Sequence, residues 1–460
     1  MRHGKARPQI SIVQMELPLE ERGATSPGQR SGEAGPTAHG AERSGDDDVM
    51  SRVVERSNLA RAWKRVRQNR GSAGSDGMTV DELLPYLRAH WAVIREALLA
   101  GTYQPAPVRQ HQIPKADGGV RMLGIPTVLD RFIQQAVLQV LQPRFDPTFS
   151  ESSYGFRPGR RAQDAVCQAQ RYVQSGRRWV VDIDLERFFD RVNHDVLMGK
   201  LSQRVADRRL LVLIRRYLEA GMMAHGVVQE RVEGTPQGGP LSPLLANVLL
   251  DEVDKELERR GHQFVRYADD CNVYVRSQRA GERVMQALSR LYAKLRLRVN
   301  RDKSAVAKAW QRPFLGFSFW VAPGRVIKRR VAPAALSALK ARVRTITRRT
   351  SGRSCRRVVA ELRSYLLGWR AYFRLAETPS VFAGLEQWLH RRLRALQLKQ
   401  WKHGATVYRE LRARGVPRRV ACAAAAHTSR WWHIAAHGAL QTALPTSYFD
   451  GLGVPRLAAH

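Results

Sequence analysis

Apolar residues recur at helical spacing along several stretches of the chain. Leu59, Ala62, Trp63 and Val66 fall three or four apart and predict a helix that stops near Gly71. Asp81 would cap a second helix carrying Leu83, Leu84, Leu87, Trp91 and Ile94. Two more are predicted, from about Asp130 to Leu141 and from Ala162 to Gln174. Elsewhere the period changes. Residues 113–127 read as a hairpin with Asp117, Gly118 and Gly119 at its tip. WVVDIDL (179–185) and FVRYADDCNVYV (264–275) read as apolar strands, with helical stretches and the loop TPQGGPLS (235–242) between them. Beyond about residue 330 helical spacing returns, as in Leu362, Leu366, Trp369 and Phe373, or Leu385, Trp388, Leu389, Leu393 and Leu396. Residues 1–50 show no periodicity and are rich in Gly, Ser, Glu, Arg and Pro, the composition of a disordered leader.

Composition narrows the classes. With 43% hydrophobic residues, the 460-residue chain can build real cores and is not disordered as a whole. No apolar run approaches the length of a membrane span, and the N-terminus lacks the apolar stretch of a secretory signal. The four cysteines are too scattered for a disulfide framework or a paired-cysteine zinc site, so a reduced cytoplasmic protein is expected. The formal net charge is +36, which calls for phosphate backbones as partners; no lipidation motif or basic amphipathic helix argues for a membrane instead. The charge is uneven. Residues 321–460 hold 27 Lys and Arg against five acids, so this helical region reads as a basic surface.

The chemistry lies in two acidic strands. Tyr267-Ala268-Asp269-Asp270 puts adjacent aspartates inside an apolar strand pair, where a regular strand would send them to opposite faces. A tight turn would bring both towards one point, and crowded carboxylates call for a cation of the oxygen-binding kind, such as magnesium. In the other strand, alternation puts Asp182 and Asp184 on one face, opposite Val181, Ile183 and Leu185. One of the two could complete a metal site with Asp269 and Asp270, while Asp190 is expected to start or cap the following helix. Such a set suits nucleotidyl transfer by two metal ions about 3.5–4 Å apart.

These motifs, in their order, resemble the group II intron reverse transcriptase/maturase family. KADGGVRMLGIPTVLDRFIQQAV (115–137) and SYGFRPGR (153–160) resemble the family's fingers. DIDLERFFDRVNHDVL (182–197), GTPQGGPLSPLLANVLLDEVD (234–254), YADD, LRLRVNRDKS (295–304) and FLGFSF (314–319) resemble its palm. LRSYLLGWRAYF (362–373) and LEQWLHRRLRALQLKQWK (385–402) resemble the maturase helices, or thumb. The resemblance implies an α+β, right-hand polymerase fold, with an antiparallel palm sheet followed by a helical thumb/maturase domain. The divisions expected are a leader over 1–50, fingers over 51–178, palm over 179–325, thumb over 326–402 and a short basic segment over 403–460.

The resemblance also implies an RNA-directed DNA polymerase using two Mg²⁺ ions and dNTPs, with template RNA and DNA primer, group II intron RNA and target DNA as partners. It would help its intron splice and copy it into DNA during retrohoming. By resemblance, Asp184, Asp269 and Asp270 hold the metals, with Asp182 the alternative to Asp184. Phe189 matches a steric gate against a ribose 2′-hydroxyl, Lys115 and Arg121 match triphosphate-binding residues, Gln237 and Gly238 line the nucleotide, and Lys303 lies near pyrophosphate. Arg391, Arg392 and Arg394 are candidates for binding RNA. The chain departs from many family members because residues 403–460 hold only Cys422, so no HNH-type endonuclease is expected and the segment is a candidate DNA contact. Two other readings stay open: a splicing-only maturase with an inert polymerase, and a related reverse transcriptase recruited to defence or repair.

Overall fold

The computed structural model describes residues 48–458 except 115–119, 225–226, 230–232, 236–237, 351 and 428–429. Most of the leader, the hairpin tip, Lys115 and Gln237 therefore lie outside the described residues. The described chain forms two compact units. The first runs to Arg160 and takes in Val181–Val273 and Glu282–Ala305; the second comprises Arg161–Val180, Tyr274–Gly281 and the chain from Val306 onward. Among the described residues, no helix is long and apolar enough to cross a membrane.

In the first unit the helices follow the apolar periodicity, with boundaries set by their caps. Helix Arg56–Asn69 buries Leu59, Ala62, Trp63 and Val66. Helix Val80–Leu99 starts on a capping box between Thr79 and Glu82, so Asp81 sits inside the first turn instead of capping it. Helix Val128–Phe145 starts two residues earlier than its periodicity suggests, because the Thr127 hydroxyl accepts from the Asp130 backbone N–H at 3.0 Å. The stretch read as leader already contains the start of helix Val49–Val53, where Met50 N donates to the Asp207 carboxylate at 2.8 Å.

Strands β1 (Val108–Pro114) and β2 (Val120–Ile125) pair antiparallel, as the predicted hairpin requires. With β3 (Trp179–Ile183), β4 (Met222–Ala224) and β5 (Val227–Gln229) counted along the chain, the first sheet has the order β2-β1-β4-β5. The sheet that matters for chemistry has the order β6-β7-β3-β8, with β6 Gln263–Tyr267, β7 Asp270–Val275 and β8 Ala305–Lys308. Its core-facing residues are fully buried: Val181 and Ile183 on β3, Val265 on β6 and Val273 on β7.

The second unit is mostly helical. Strands β9 (Phe317–Val321) and β10 (Ile327–Val331) pair antiparallel, and helix Ala162–Gln174, at its predicted bounds, is stapled to β10. Gln170 donates to the Ile327 carbonyl at 2.7 Å, and Gln174 accepts from its N–H at 2.7 Å. Phe317, Trp369, Phe373 and Phe382 pack ring against ring, so the apolar spacing of helix Cys355–Phe373 serves as core. The stretch from 403 onward is a set of short helices, starting with Gly404–Ala413 and Arg418–Ala426.

Candidate active site

The two adjacent aspartates occupy a two-residue turn and its exit. Asp269 lies in the turn between β6 and β7, and Asp270 is the first residue of β7. Ala268 takes φ +58°, a left-handed conformation that costs a residue with a β-carbon roughly 1–2 kcal/mol. The surroundings hold it there. Arg266, fully buried, donates through Nη1 to the Ala268 carbonyl and to the Asn247 side-chain oxygen, both at 2.9 Å. Its Nε and Nη2 meet both carboxylate oxygens of Asp254, also fully buried, at 2.6–3.0 Å. Burial works against the Arg266 charge, but the Asp254 carboxylate outweighs it and holds the guanidinium pKa above its ordinary value. Asn247 in turn donates to the Gly155 carbonyl at 2.9 Å. A β-carbon at Gly155 would overlap the Ala268 backbone nitrogen, so the turn rests directly on the glycine.

The second strand delivers its carboxylates beside this turn, because β3 neighbours β7 in the sheet. The ambiguity between Asp182 and Asp184 resolves into two environments. In its hydrogen-bonding orientation the buried Asn272 amide donates to Asp182 Oδ1 at 2.9 Å, so Asp182 has a partner within the sheet. Asp184 lies one residue past β3 and its side chain is about one-third exposed. Its backbone is locked to the LRLRVNRDKS segment: its N–H donates to Ser304 Oγ at 3.0 Å, and its carbonyl accepts from Asn300 N at 2.9 Å. Lys303 Nζ stands 4.0 Å from Asp184 Oδ2. Asp190 falls in a short 3₁₀ turn, Phe188–Arg191, and the following helix, His194–Ser202, is capped by Asn193 instead. The Asn193 side chain accepts from Val196 N at 3.0 Å, the position a cap must occupy.

The carboxylates feel one another. Burial, and then the like charges of Asp269, Asp182 and Asp184, push Asp270 up to about 7. The residue still reaches solvent, which screens part of this repulsion. Among the described residues, no three acidic, histidine or cysteine side chains are already gathered at metal-ligand spacing. The donor set nevertheless suits a hard divalent cation: oxygen ligands only, carrying mutual repulsion that a cation relieves. Cys271, next to Asp270, is no candidate ligand or nucleophile, since burial pushes its thiol up to about 12.

The remaining candidates divide. Phe188 is buried while Phe189 is half-exposed, with ring centroids 5.1 Å apart, and the Phe189 carbonyl accepts from Thr235 N at 2.7 Å. The base of the TPQGG loop is thus docked on the segment that carries Phe189. Gly238 has φ +134°, and a β-carbon there would come within 2.7 Å of the Gly124 carbonyl on β2. Lys115 and Gln237 are outside the described residues, and Arg121 lies on β2, where only its backbone is described. In the second unit the three arginines take different places. Arg391 stacks on Trp432 at 4.2 Å and donates to its carbonyl. Arg392 donates to Thr347 Oγ1 at 2.8 Å. Arg394 is turned inward, buried, with Nε donating to the Leu444 carbonyl at 3.0 Å, where it fastens the C-terminal helices. Arg266, Asp254, Asn247 and Gly155 were not singled out from the sequence. The one available signal was an arginine in the middle of an apolar strand, which is costly unless it is paired.

Comparison with known proteins addresses the family. The reverse transcriptase (RNA-dependent DNA polymerase) family profile matches residues 113–319, and the group II intron maturase-specific domain profile matches residues 336–415. Protein YkfC of Escherichia coli (strain K12) is 31% identical over 299 residues, covering 56% of this chain and 78% of YkfC. The group II intron-encoded protein LtrA of Lactococcus lactis subsp. cremoris is 37% identical over 195 residues, which is 42% of this chain and 32% of LtrA. The putative COX1/OXI3 intron 2 protein of Saccharomyces cerevisiae is 30% identical over 203 residues, 43% of this chain and 23% of that protein. The aligned stretch thus takes in less than a third of either intron-encoded relative. A polymerase domain followed by a maturase domain, in the order the motifs run, makes the chain a member of the group II intron reverse transcriptase/maturase family, a family of RNA-directed DNA polymerases.

Proposed function

We propose that the chain extends a DNA primer on an RNA template, with Asp184, Asp269 and Asp270 as the residues that hold two Mg²⁺ ions. When bound, the ions lower the pKa of the primer 3′-hydroxyl and neutralise the triphosphate and the departing pyrophosphate. The observation that carries this reading is the delivery of Asp182, Asp184, Asp269 and Asp270 to one place by neighbouring strands, where burial and then the like charges raise the Asp270 pKa. The protein's own part is positional. The Arg266–Asn247–Gly155 clamp keeps the turn at one geometry, and the Asn300 and Ser304 bonds hold the Asp184 backbone. Lys303 supplies positive charge beside Asp184 for a phosphate group. Phe189, on its half-exposed turn, serves as the gate against ribonucleotides, and Lys115, Arg121, Gln237 and Gly238 line the incoming nucleotide.

The second unit carries the maturase segment, and its basic helices bind the intron RNA, which the polymerase then copies during retrohoming. Primer extension on poly(rA)/oligo(dT) with Mg²⁺ tests the polymerase. Incorporation by the wild type that is lost in Asp269→Ala supports the reading; absence of incorporation by the wild type overturns it.

A further inference from the structure

The second unit contains a cavity of about 250 Å³ with an unusual lining. Arg344, Thr347 and Arg349 come from the end of helix Pro333–Ile346 and the residues after it, Trp388 and Arg392 from helix Pro379–Trp401, and Trp432 from the C-terminal helices. Among the described residues, no carboxylate lines it. Elsewhere the same unit pairs its arginines with acids: Arg342 and Arg353 share Glu361, and Arg329 binds Glu377. Here the guanidinium groups of Arg344, Arg349 and Arg392 converge without an acid among the described lining residues. Burial, followed by the charges of Arg344 and Arg349, lowers the pKa of Arg392.

The site is also built. Thr347 is buried; its hydroxyl donates to the Val343 carbonyl at 2.6 Å and accepts from Arg392 Nε at 2.8 Å, which fixes the guanidinium. The Trp388 ring has Arg392 at 5.5 Å and Arg344 at 5.8 Å from its centroid. Trp432, 39% exposed, is braced by Arg391. Fixed guanidinium groups select a phosphate, and indole faces select a flat ring. An acidic peptide would use the first feature and leave the second idle. The volume lies just below the usual range of small-molecule sites, roughly 300–1,000 Å³, and excludes a stacked helix.

We propose that this cavity takes one unstacked nucleotide of an RNA strand, its base against Trp388 and its phosphate on Arg344, Arg349 and Arg392. The proposal rests on the reading of this unit as RNA-binding and not on the polymerase. Sequence-selective RNA recognition commonly seizes such splayed-out bases, so the cavity would read a bulge or a loop in place of the helix beside it.

The test uses the full chain and two RNA hairpins, one closed and one carrying a single bulged 2-aminopurine. The bulged hairpin should bind roughly tenfold more tightly, in line with stacking of one base on an aromatic ring, and its fluorescence should be quenched on binding. Trp388→Leu should abolish both the preference and the quench while leaving affinity for the closed hairpin unchanged, and Trp388→Phe should retain them. Arg349→Gln, at an exposed position, should flatten the salt dependence for the bulged hairpin by about one counterion. Circular dichroism melts confirm that each variant is folded. Equal binding of both hairpins, or a preference that survives Trp388→Leu, overturns the cavity alone. Binding of neither hairpin overturns the RNA-binding reading and the cavity with it. Displacement of the bulged hairpin by polyglutamate but not by adenosine 5′-monophosphate assigns the site to an acidic peptide instead and also overturns the proposal.

Discussion

Arg266 in the first unit and Arg392 in the second are the same side chain put to opposite uses. Arg266 is fully buried and saturated, with two hydrogen-bonding neighbours and a carboxylate of its own. Arg392 is half-buried beside two more arginines and, among the described residues, has hydrogen bonds to a threonine and, at 3.5 Å, a backbone carbonyl. The difference follows from what each region must do. A turn that presents the carboxylates proposed to hold metal has to stay at one geometry, so its arginine is neutralised within the fold. A surface that binds a polyanion has to keep charge in reserve, and it tolerates repulsion until the ligand arrives.

The sharpest way to break this contrast is to show that the two regions do not act separately. Asp269→Ala removes a carboxylate proposed to hold metal and should lower incorporation by about a thousandfold or more, since such a site supplies several kcal/mol of transition-state stabilisation. RNA affinity, measured by filter binding, should stay within about twofold. An equal fall in both would dissolve the distinction.

Next in size is the buried pair. Arg266→Met strands Asp254 and should cost about 3–5 kcal/mol of stability in a denaturant titration. Replacing both, with Asp254→Leu added, should recover most of that loss, because an apolar pair avoids the desolvation. The double variant should regain stability without regaining full activity, since the Ala268 carbonyl still lacks its donor. Full activity in the double variant would reduce the clamp to packing.

A smaller effect concerns pH. Asp270 is the reverse of the usual carboxylate, with its folded pKa raised to about 7. The folded protein therefore binds a proton more tightly than the unfolded chain. The stability this brings is complete below the unfolded value, near 4, and is lost as pH rises through about 7. In EDTA, wild-type melting temperature should fall across this window relative to Asp270→Asn, and added Mg²⁺ should erase the difference at pH 8. Parallel profiles for the two proteins would mean that the carboxylates do not share a field. The smallest effect is expected at the second arginine. Arg392→Met should change stability by under about 1 kcal/mol, because relief of repulsion offsets the lost hydrogen bond to Thr347. A loss as large as that of Arg266→Met would make Arg392 structural.

Much of the fold was legible because its signals are local. Helix Ala162–Gln174 and the β1–β2 hairpin follow from periodicity and turn residues alone. The YADD turn was legible for the same reason. The errors came where two polar residues competed for a cap, as with Thr79 against Asp81 and Asn193 against Asp190; only the backbone geometry decides which oxygen reaches a free N–H. The partnership of Arg266 with Asp254 was not legible, since it joins a strand to the helix Ser242–Arg259 and no spacing rule announces it. Arg394 misled for a related reason. It sits in an RRLR run that suggests a solvated face, yet Leu444 and the C-terminal helices cover it. A local pattern cannot say what will be laid over it.

The contact between Gly155 and Ala268 has a practical consequence. The SYGFRPGR segment and the YADD hairpin behave as a single machined part, although more than a hundred residues separate them in the chain. Anyone transplanting the hairpin into a different polymerase, or shuffling fragments among relatives, would have to carry its seat along with it. Directed-evolution libraries that randomise one side while leaving the other constant should yield mostly dead clones, with survivors changed on both.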